Sequence, residues 1–596
     1  MESTDIKTRY FELRDKLLSE RNQEGYWTGR LSTSALSTAV AIVALKLADN
    51  KSDRTLIETG FNWLCRNINK DGGYGDTTDS ISNVSTTLLC YAAISYCQSN
   101  NNGISTLHLI EKWLEERGIN IDPDTITGSV LRFYGNDYTF SVPILAMLMI
   151  CEVIPHSSAD RMPLFPFELT LLPSYLYRFL NLRVVSYALP ALIGVGIWLH
   201  KFRRKRNTPM SYIRNYFIRP ALKKLDHILP ESGGFLEAIP LTAFVAMCLI
   251  DANEKDTHTV RKGIEFLRKQ KREDGGWPID TDLSTWVTTL SIKALGEDIK
   301  QVMNENQLQI LRNHLLGLQY RTRHPFNDAK PGGWGWTSYS GSVPDADDTP
   351  GAILALLHLY NGTNEENISI ENGCRWLTEI QNSDGGFPTF CKGWGKLPFD
   401  KSCADLTGHA LLALMKTSEI LKGQIQPGLF QKVDKSISKA IKYLANTQLG
   451  NGAWLPLWFG NQLTSDMTNP VYGTAKVSLY LFDCMNTLDE NSEKRNDILR
   501  MLKKSWNFLL EQQNDDGSWG GEKGIPGSVE ETSLAISALA SVNKDACMRG
   551  LFWLEGFDRL PSSPIGLYFA MLWYDEKLYP VIYYVEALRR ILNQID

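Results

Sequence analysis

Three carboxylates, Asp345, Asp347 and Asp348, lie within four residues of one another between two prolines. A glycine–tryptophan stretch without charge precedes them, and an apolar run at helical spacing follows them. The acids therefore stand where a loop enters a helix, which Asp348 or Thr349 can cap and whose first turn Pro350 suits. Three carboxyls this close cannot all ionise freely, so one is expected to keep its proton. The triplet favours chemistry by a strong acid, although by itself it also fits an exposed helix cap or a calcium-binding turn.

Length and composition restrict the class of protein. A chain of 596 residues is long enough for two or more domains, and it is rich in large rings, with 16 Trp, 23 Tyr and 23 Phe. The net charge of -5 gives no basic field for a nucleic acid. Ten scattered cysteines without a C-x-x-C pair indicate neither a zinc ribbon nor a disulfide framework. No metal and no cofactor are expected.

A short glycine–aromatic theme recurs along the chain, at spacings of roughly 40 to 70 residues over most of its length. Most instances start with a glutamine or asparagine and turn on glycines before the aromatic residue. We expect the glutamine amide to lie on the aromatic face and to tie adjacent helices together. The aromatic residues of these repeats are Trp27, Tyr74, Phe235, Trp277, Trp334, Phe387, Trp454 and Trp519.

The segments between the repeats predict an all-α fold. Apolar residues recur at three- and four-residue spacing in 36–47, 286–295, 352–360 and 407–415, and no run alternates convincingly like a strand. Repeated helix pairs form either an open solenoid or a closed α/α barrel, and periodicity does not choose between them. Closure is favoured because the glycine–aromatic turns would gather acids and aromatic rings at the mouth of a barrel.

Residues 165–206 differ in kind from the rest of the chain. The part from 184 to 199 is nearly all apolar, but at about 16 residues it is shorter than the roughly 20 needed to span a bilayer. Five basic residues follow between 201 and 206. This pattern fits docking into one membrane leaflet, and it fits a buried core helix with a solvated basic end equally well.

Several of these features resemble the class II triterpene cyclases. The repeats resemble the QW motifs of that family, and residues 345–349 match its Asp-x-Asp-Asp-Thr acid motif. Residues 167–190 resemble the segment by which squalene-hopene cyclases sit on the membrane, and 568–580 resemble the C-terminal aromatic stretch of the family. The likeness runs over nearly the whole chain. The sequence lacks both the acid motif of oxidosqualene cyclases and the Asp-Asp-x-x-Asp motif of metal-dependent class I synthases.

The resemblance implies two α/α barrels, one inserted into the other, with a large apolar cavity between them. Residues 1–30 and 283–596 would form the catalytic barrel that carries the acid motif. Residues 31–282 would form the inserted barrel with the membrane-docking segment. The polar, acidic start is unlike a signal peptide, so a peripheral protein on the cytoplasmic side of a membrane is expected.

The resemblance also implies the chemistry. Asp347 would protonate a terminal alkene, Asp345 and Asp348 would hold the geometry of the proton, and His409 would hydrogen-bond the acid. An alkene is a very weak base, so the acid must be strong and water must be excluded. The partners expected are an apolar polyprenyl substrate, a membrane surface through residues 165–206 and a second copy of the chain in a homodimer, with no nucleic acid.

The carbocations formed would need stabilisation by aromatic faces, worth roughly 2 kcal/mol in a dry site. For each candidate alone, ordinary core packing explains the residue as well, whereas the set beside an acid motif favours a cavity lined for cations. The positions that match the family are Trp286, Trp336, Phe390, Trp458, Tyr472, Tyr187 and Tyr574, with Phe140 and Pro240 as looser matches.

One departure concerns the product. Hopene-forming enzymes carry phenylalanines in the C-terminal stretch, where this chain has Ser563 and Leu567. We therefore expect a cyclase that terminates before five rings, on a substrate similar to squalene, tetraprenyl-curcumene or a prenylated aromatic compound. The enzyme would be an isomerase, or a hydro-lyase if water ends the cascade.

Three other classes fit parts of the pattern. A protein prenyltransferase subunit shares the α/α barrel but needs a zinc site and a partner chain. A helical-repeat binding protein would have no use for the acid triplet. An α/α-barrel glycosidase would use paired carboxylates and aromatic rings, but it would not need the apolar segment followed by basic residues.

Overall fold

The computed structural model describes residues 3–98, 101–135, 138–172, 189–203, 209–390, 400–424, 426–568 and 572–595. The predicted all-α fold is confirmed, because the described residues form mostly helices. In chain order the α-helices are α1 (Ser3–Ser19), α2 (Ala35–Asp49), α3 (Arg54–Arg66), α4 (Val84–Cys97), α5 (Asn101–Glu115), α6 (Pro123–Tyr134), α7 (Tyr138–Ile150), α8 (Leu189–Phe202), α9 (Pro209–Ile228), α10 (Ile239–Asp251), α11 (His258–Lys269), α12 (Ser284–Leu295), α13 (Ile299–Val302), α14 (Glu305–Leu318), α15 (Asp348–His358), α16 (Asn364–Ile380), α17 (Ala404–Ile420), α18 (Pro427–Thr447), α19 (Pro470–Met485), α20 (Glu493–Glu511), α21 (Val529–Leu539), α22 (Lys544–Leu554) and α23 (Tyr579–Leu592). Short 3-10 helices are His156–Arg161, Phe167–Leu171, Phe235–Glu237 and Gly296–Asp298.

These helices form two closed rings. In the first ring α12, α15, α17, α19, α21 and α23 each contact the next, and α23 returns to α12. Helices α14, α16, α18, α20 and α22 pack outside it, and α1 packs on α23. In the second ring α2, α4, α7, α8 and α10 contact in turn, and α10 returns to α2, with α3, α5, α6, α9 and α11 outside. An α/α barrel is therefore the architecture of both halves.

Sequence pattern decides which helices lie inside. Helix α2 is buried at every position from Ala35 to Leu45, since both of its sides pack against other helices. Helix α11 buries only one face, with Val260, Ile264 and Leu267, and turns its basic residues outward. A helix that is apolar all round fits an inner position, and an amphipathic one fits the outer layer.

The repeats tie neighbouring helices together, as predicted. The amide of Gln381 donates hydrogen bonds to the carbonyl oxygens of Gly385 (2.8 Å) and Ser436 (3.0 Å), and so joins its own repeat turn to the outer helix α18. The indole of Trp454 donates to the Leu444 carbonyl oxygen at 3.0 Å, at the end of the outer helix. A threonine on an inner helix accepts the backbone N–H of each repeat aromatic, and these threonines are Thr288, Thr87, Thr242, Thr38, Thr349, Thr407, Thr474 and Thr532. The threonine lies on the next inner helix of the chain in six repeats, whereas Trp27 bonds to Thr288 on α12 and Trp277 bonds to Thr38 on α2.

Two very short antiparallel pairs join distant parts of the chain. Strand β1 (Thr33–Ser34) pairs with β2 (Trp277–Pro278), and β3 (Gly566–Tyr568) pairs with β4 (Leu572–Tyr574). The first pair brings the start of the second ring beside its end. The segments that enter and leave that ring are thereby held together.

The predicted membrane segment lies partly outside the described residues, which omit 173–188 and 204–208. The rest of the apolar run forms α8, which is buried along most of its length. This described part is a core helix, one of the two alternatives that its composition allowed. Among the helices that the structure describes, none combines the length and apolar character needed to cross a bilayer.

Candidate active site

A cavity lies between the two rings. Its wall is almost entirely apolar, and the acid triplet stands in it. The first ring and its loops contribute Trp286, Trp336, Phe390, Trp458, Phe459, Leu572 and Tyr574, and the second ring and its loops contribute Leu36, Leu89, Phe140, Ile144, Leu236, Pro240 and Phe244. This lining suits an apolar molecule.

The loop before α15 is held by one of its own acids. The Asp345 carboxylate accepts the backbone N–H groups of Asp347 (2.8 Å) and Asp348 (2.7 Å). Asp345 therefore caps the helix start, and the prediction that Asp348 or Thr349 caps it is wrong, since the hydroxyl of Thr349 accepts the N–H of Trp334 instead. Pro350 lies in the first turn, as predicted.

Burial separates the members of the triplet. Asp345 and Asp348 are only 3% and 4% exposed, whereas the Asp347 side chain is 21% exposed. Burial raises the pKa of Asp345 and Asp348, and the mutual repulsion of the two carboxyls raises that of Asp348 further. One oxygen of Asp348, Oδ1, has no hydrogen-bond partner within the described part of the chain. The pair therefore holds at least one proton at neutral pH.

His409 lies directly behind Asp347. Its Nδ1 atom is 2.8 Å from Asp347 Oδ1, and its ring is 2% exposed on α17. The imidazole stacks on Tyr480, with ring centroids 4.7 Å apart, and meets the edge of Trp286 at 6.0 Å. Burial lowers the pKa of His409, with the Asp347 carboxylate opposing that effect. A neutral imidazole with a proton on Nδ1 donates to Asp347 and leaves the other carboxyl oxygen available to the cavity.

The aromatic residues predicted to contact cations form a continuous wall. The Trp336 and Phe390 rings are 6.2 Å apart, and Phe390 meets the Trp458 ring edge-on at 5.8 Å. Trp286 and Tyr574 also line the cavity, and Phe140 and Pro240 line it from the second ring. The faces of these rings present negative charge density to an apolar interior.

Two of the predicted residues are not part of this wall. Tyr472 is fully buried and stacks on Phe459, with ring centroids 4.2 Å apart. Its hydroxyl oxygen lies 3.3 Å from the hydroxyl oxygen of Tyr583. The structure therefore places Tyr472 behind the cavity, as a support for Phe459. Tyr187 lies outside the described residues.

Three further residues, Asp405, Phe459 and Asp280, belong to the site although no role was expected for them from the sequence. Asp405 lies one turn before His409 on α17, accepts the thiol of Cys403 at 2.6 Å, and has a pKa that burial raises to about 6. Its i, i+4 spacing from the histidine is a signal that could have found it. Phe459 follows directly after Trp458. Asp280, a carboxyl in the cavity wall, has no comparable sequence signal.

Comparison with known proteins agrees with this geometry. The family model "Squalene-hopene cyclase C-terminal domain" matches residues 283–557, and "Squalene-hopene cyclase N-terminal domain" matches residues 12–106. The chain is 22% identical to the probable squalene–hopene cyclase of Sinorhizobium fredii, over 91% of this chain and 89% of that protein. It is 25% identical to enfumafungin synthase efuA of Hormonema carpetanum, over 94% of this chain but only 46% of that longer protein. The chain thus spans about half the length of that curated relative.

A solved structure shows the same fold. The ent-copalyl diphosphate synthase from Streptomyces platensis superposes with a TM-score of 0.59 over 99% of this chain and 100% of that chain, at 16% identity. The two family models together cover more than half of the residues of this chain. With its two helical barrels and the acid triplet in the cavity between them, the chain belongs to the class II terpene cyclase family.

Proposed function

We propose that the protein is a cyclase that uses Asp347 to protonate the terminal alkene of a long polyprenyl chain. The observation that carries the proposal is the position of Asp347, between the imidazole of His409 at 2.8 Å and an apolar, aromatic-lined cavity. Asp345 and Asp348 are too buried to reach far into that space. Asp347 is the member of the triplet that is best placed to meet a substrate.

The proposed reaction begins with transfer of one proton. The O–H bond of Asp347 breaks, the alkene π electrons form a new C–H bond, and a tertiary carbocation remains. Each following alkene attacks the cation before it, which forms one ring bond and moves the charge along the chain. The faces of Trp286, Trp336 and Phe390 stabilise that charge without quenching it. Loss of a proton or capture of water ends the cascade, and Asp347 regains a proton.

The proposed substrate is squalene-like, tetraprenyl-curcumene-like or a prenylated aromatic compound, and the product has fewer than five rings. Support comes from the C-terminal stretch, where Leu567 donates its backbone N–H to the Trp458 carbonyl oxygen at 2.7 Å. The backbone of Leu567 thus lies beside that of Trp458, and the residue is aliphatic where a phenylalanine would offer a π face. Later ring cations would have less stabilisation there.

Membrane docking through residues 165–206 is part of the proposal. The guanidinium of Arg214 binds the Glu168 carboxylate at 3.0 Å, which holds α9 against that segment. Near the contact, Tyr212 and Tyr216 are 68% and 78% exposed, and Leu164 is also exposed. Exposed aromatic and aliphatic side chains, in a part of the sequence that also carries a basic stretch, suit the interface of a bilayer. Their replacement by serine should release the enzyme from vesicles.

We also propose the division of the chain into a catalytic barrel, 1–30 with 283–596, and an inserted barrel, 31–282. It is supported by α1, which packs on α23 rather than on the second ring. A homodimer is the proposed assembly, and the mass of the detergent-solubilised enzyme would test it.

The decisive experiment is a mass-resolved product assay with purified enzyme in detergent. Wild type and Asp347→Asn, which differ by one oxygen-for-nitrogen exchange, would each receive squalene, longer polyprenyls and aromatic-headed polyprenyls. Cyclised isomers from wild type alone would support the proposal, and the best-converted compound would identify the substrate class. Equal conversion by both proteins would refute the role of Asp347, and clean conversion of squalene to a pentacycle would refute early termination.

A further inference from the structure

A buried amine lies close to the acid and has no assigned role. Lys476, in the middle of α19, is 3% exposed, and its Nζ atom has no hydrogen-bond partner within the residues that the structure describes. Other buried cations of the same ring are paired: Lys293 binds Glu586 at 3.0 Å and Arg590 binds Asp483 at 2.7 Å. An unpaired buried ammonium is costly, so its retention among the apolar residues of this helix points to a use for its charge.

Aromatic faces surround the amine and connect it to the acid. Lys476 Nζ lies 5.5 Å from the ring centroid of Trp286, 5.2 Å from that of Tyr480 and 5.8 Å from that of Tyr583. The rings of Trp286 and Tyr480 are the same two that flank His409. The ammonium therefore shares two aromatic neighbours with His409, and cation–π contacts with these rings stabilise it.

Charged and titratable groups face the Asp347–His409 pair from every helix packed around it. Most of these groups are compensated: Lys293 by Glu586, and the carboxyls of Asp345 and Asp348 by the protons that burial makes them keep. The full set is Lys293 on α12, Asp345 and Asp348 at α15, Asp405 on α17, Tyr472, Lys476 and Tyr480 on α19, Tyr574 on β4, and Tyr579, Tyr583 and Glu586 on α23. Lys476 is the cation of this set without a carboxylate partner at salt-bridge distance in the described structure.

We propose that Lys476 is a positioning residue whose positive charge strengthens Asp347 as an acid and keeps the imidazole of His409 neutral. The inference rests on the proposed function of Asp347. In the reaction, His409 donates its Nδ1–H to one oxygen of Asp347, and the proton on the other oxygen passes to the alkene. Lys476 keeps its own proton throughout, and its charge stabilises the carboxylate that forms.

The electrostatics of the site are consistent with this assignment. Burial, with Lys293 acting in the same direction, lowers the pKa of Lys476 to about 8, so the amine is mostly charged at neutral pH. Lys476 and Lys293 act together with burial to lower the pKa of His409. Loss of the Lys476 proton above pH 8 removes a positive charge, so the carboxylate that forms during proton transfer is stabilised less. Activity should therefore fall as the pH rises through this value.

The test compares kcat from pH 6 to 10 for wild type, Lys476→Arg and Lys476→Met, with the full chain in detergent and the best-converted polyprenyl. A nearby positive charge that stabilises the carboxylate formed by proton transfer is expected to speed that step by about 10- to 100-fold. We expect Lys476→Met to lose about that factor in kcat at pH 7 and to lose the alkaline fall near pH 8. Lys476→Arg should keep kcat within about threefold and move the fall to higher pH, because its guanidinium stays charged.

The controls separate this inference from the proposed function. Lys416→Met removes a partly exposed lysine that pairs with Glu419 on α17, and it should leave the pH profile unchanged. The unfolding midpoint of Lys476→Met shows whether that variant folds. If it does not, a pH profile of Lys476→Arg that is the same as that of wild type would still overturn the inference. A wild type that cyclises no substrate would refute the proposed function and the inference with it. If wild type cyclises a substrate and the Lys476 variants have the same kcat and pH profile, the inference alone would be refuted.

Discussion

Adjacent carboxyls of the acid loop have different tasks because their neighbours differ. Asp345 accepts two backbone N–H groups and fixes the helix start, whereas Asp347 has an imidazole on one side and the cavity on the other. Identical side chains thus become a structural cap and a candidate acid. The distinction lies in burial and partners, which the spacing of the three aspartates does not contain.

At the residue scale, His409→Ala tests the partner of the acid. Removal of the imidazole leaves Asp347 Oδ1 without its 2.8 Å contact, so the carboxyl is less well oriented. We expect kcat to fall by about 10²- to 10⁴-fold, with a smaller change in KM. The matched control is Lys416→Met on the same helix, a partly exposed lysine that pairs with Glu419 and whose loss should cost much less. Equal losses in both variants would assign His409 a merely structural role.

Trp336 tests the aromatic wall. A single cation–π contact in a dry site is worth roughly 2 kcal/mol, or about a 30-fold preference. Trp336→Ala should therefore shift the products toward fewer rings by about that factor, while Trp336→Phe, which keeps a π face beside Phe390, should retain most of the main product. Product ratios by gas chromatography would decide. An unchanged ratio in the alanine variant would mean that Trp336 only fills space.

At the scale of elements, the helices and the repeat turns were predictable because their signals are local. Apolar spacing marks each helix, and glycine followed by an aromatic residue marks each turn. The cap by Asp345, the threonine beneath each repeat aromatic and the place of Tyr472 behind Phe459 were not predictable. Each depends on which side chains meet after the barrel closes, and residues such as Trp286 and His409 are far apart in the chain.

A repeat turn offers a matched pair of glycines two positions apart. Gly452 has φ +92°, and a Cβ there would lie 2.4 Å from the Lys504 carbonyl oxygen, whereas a Cβ on Gly450 would meet nothing within 4 Å. Gly452→Ala should lower the free energy of unfolding by about 1–3 kcal/mol through a strained backbone and a clash. Gly450→Ala should be neutral within about 0.5 kcal/mol. Denaturant unfolding measures both, and equal stability of the two variants would contradict the turn geometry.

At the scale of the whole molecule, buried carboxyls hold the loops around the cavity. Glu237 accepts the backbone N–H of Gly341 at 2.9 Å, Glu576 accepts that of Arg30 at 2.6 Å, and Glu530 accepts that of Ser563 at 2.8 Å. Burial raises the pKa of Glu237 and Glu576 to about 7 and that of Glu530 to about 8. These acids are neutral in the folded protein at a pH where the unfolded chain has already ionised them.

This difference predicts that stability falls as the pH rises from 6.5 to 8. Over this range Glu530 is ionised in the unfolded chain but still binds its proton in the folded protein. The free energy of unfolding therefore falls by about 1.4 kcal/mol per pH unit for this group, until the pH passes its folded pKa. His314 and His324, whose pKa burial lowers to about 4, oppose the trend only at the lower end of this range, where the unfolded imidazoles are still partly protonated. Thermal unfolding midpoints across the range measure it.

The variant Glu530→Gln assigns that slope to a residue. The amide keeps an oxygen for the N–H of Ser563 and cannot ionise, so the decline in the unfolding midpoint should become shallower. Glu490→Gln, a change at an exposed position, should leave the slope as in wild type. If Glu530→Gln declined as steeply as wild type, ionisation of this buried glutamate would not govern the alkaline loss of stability. The packing of these loops against the cavity would then not depend on the protonation state of Glu530.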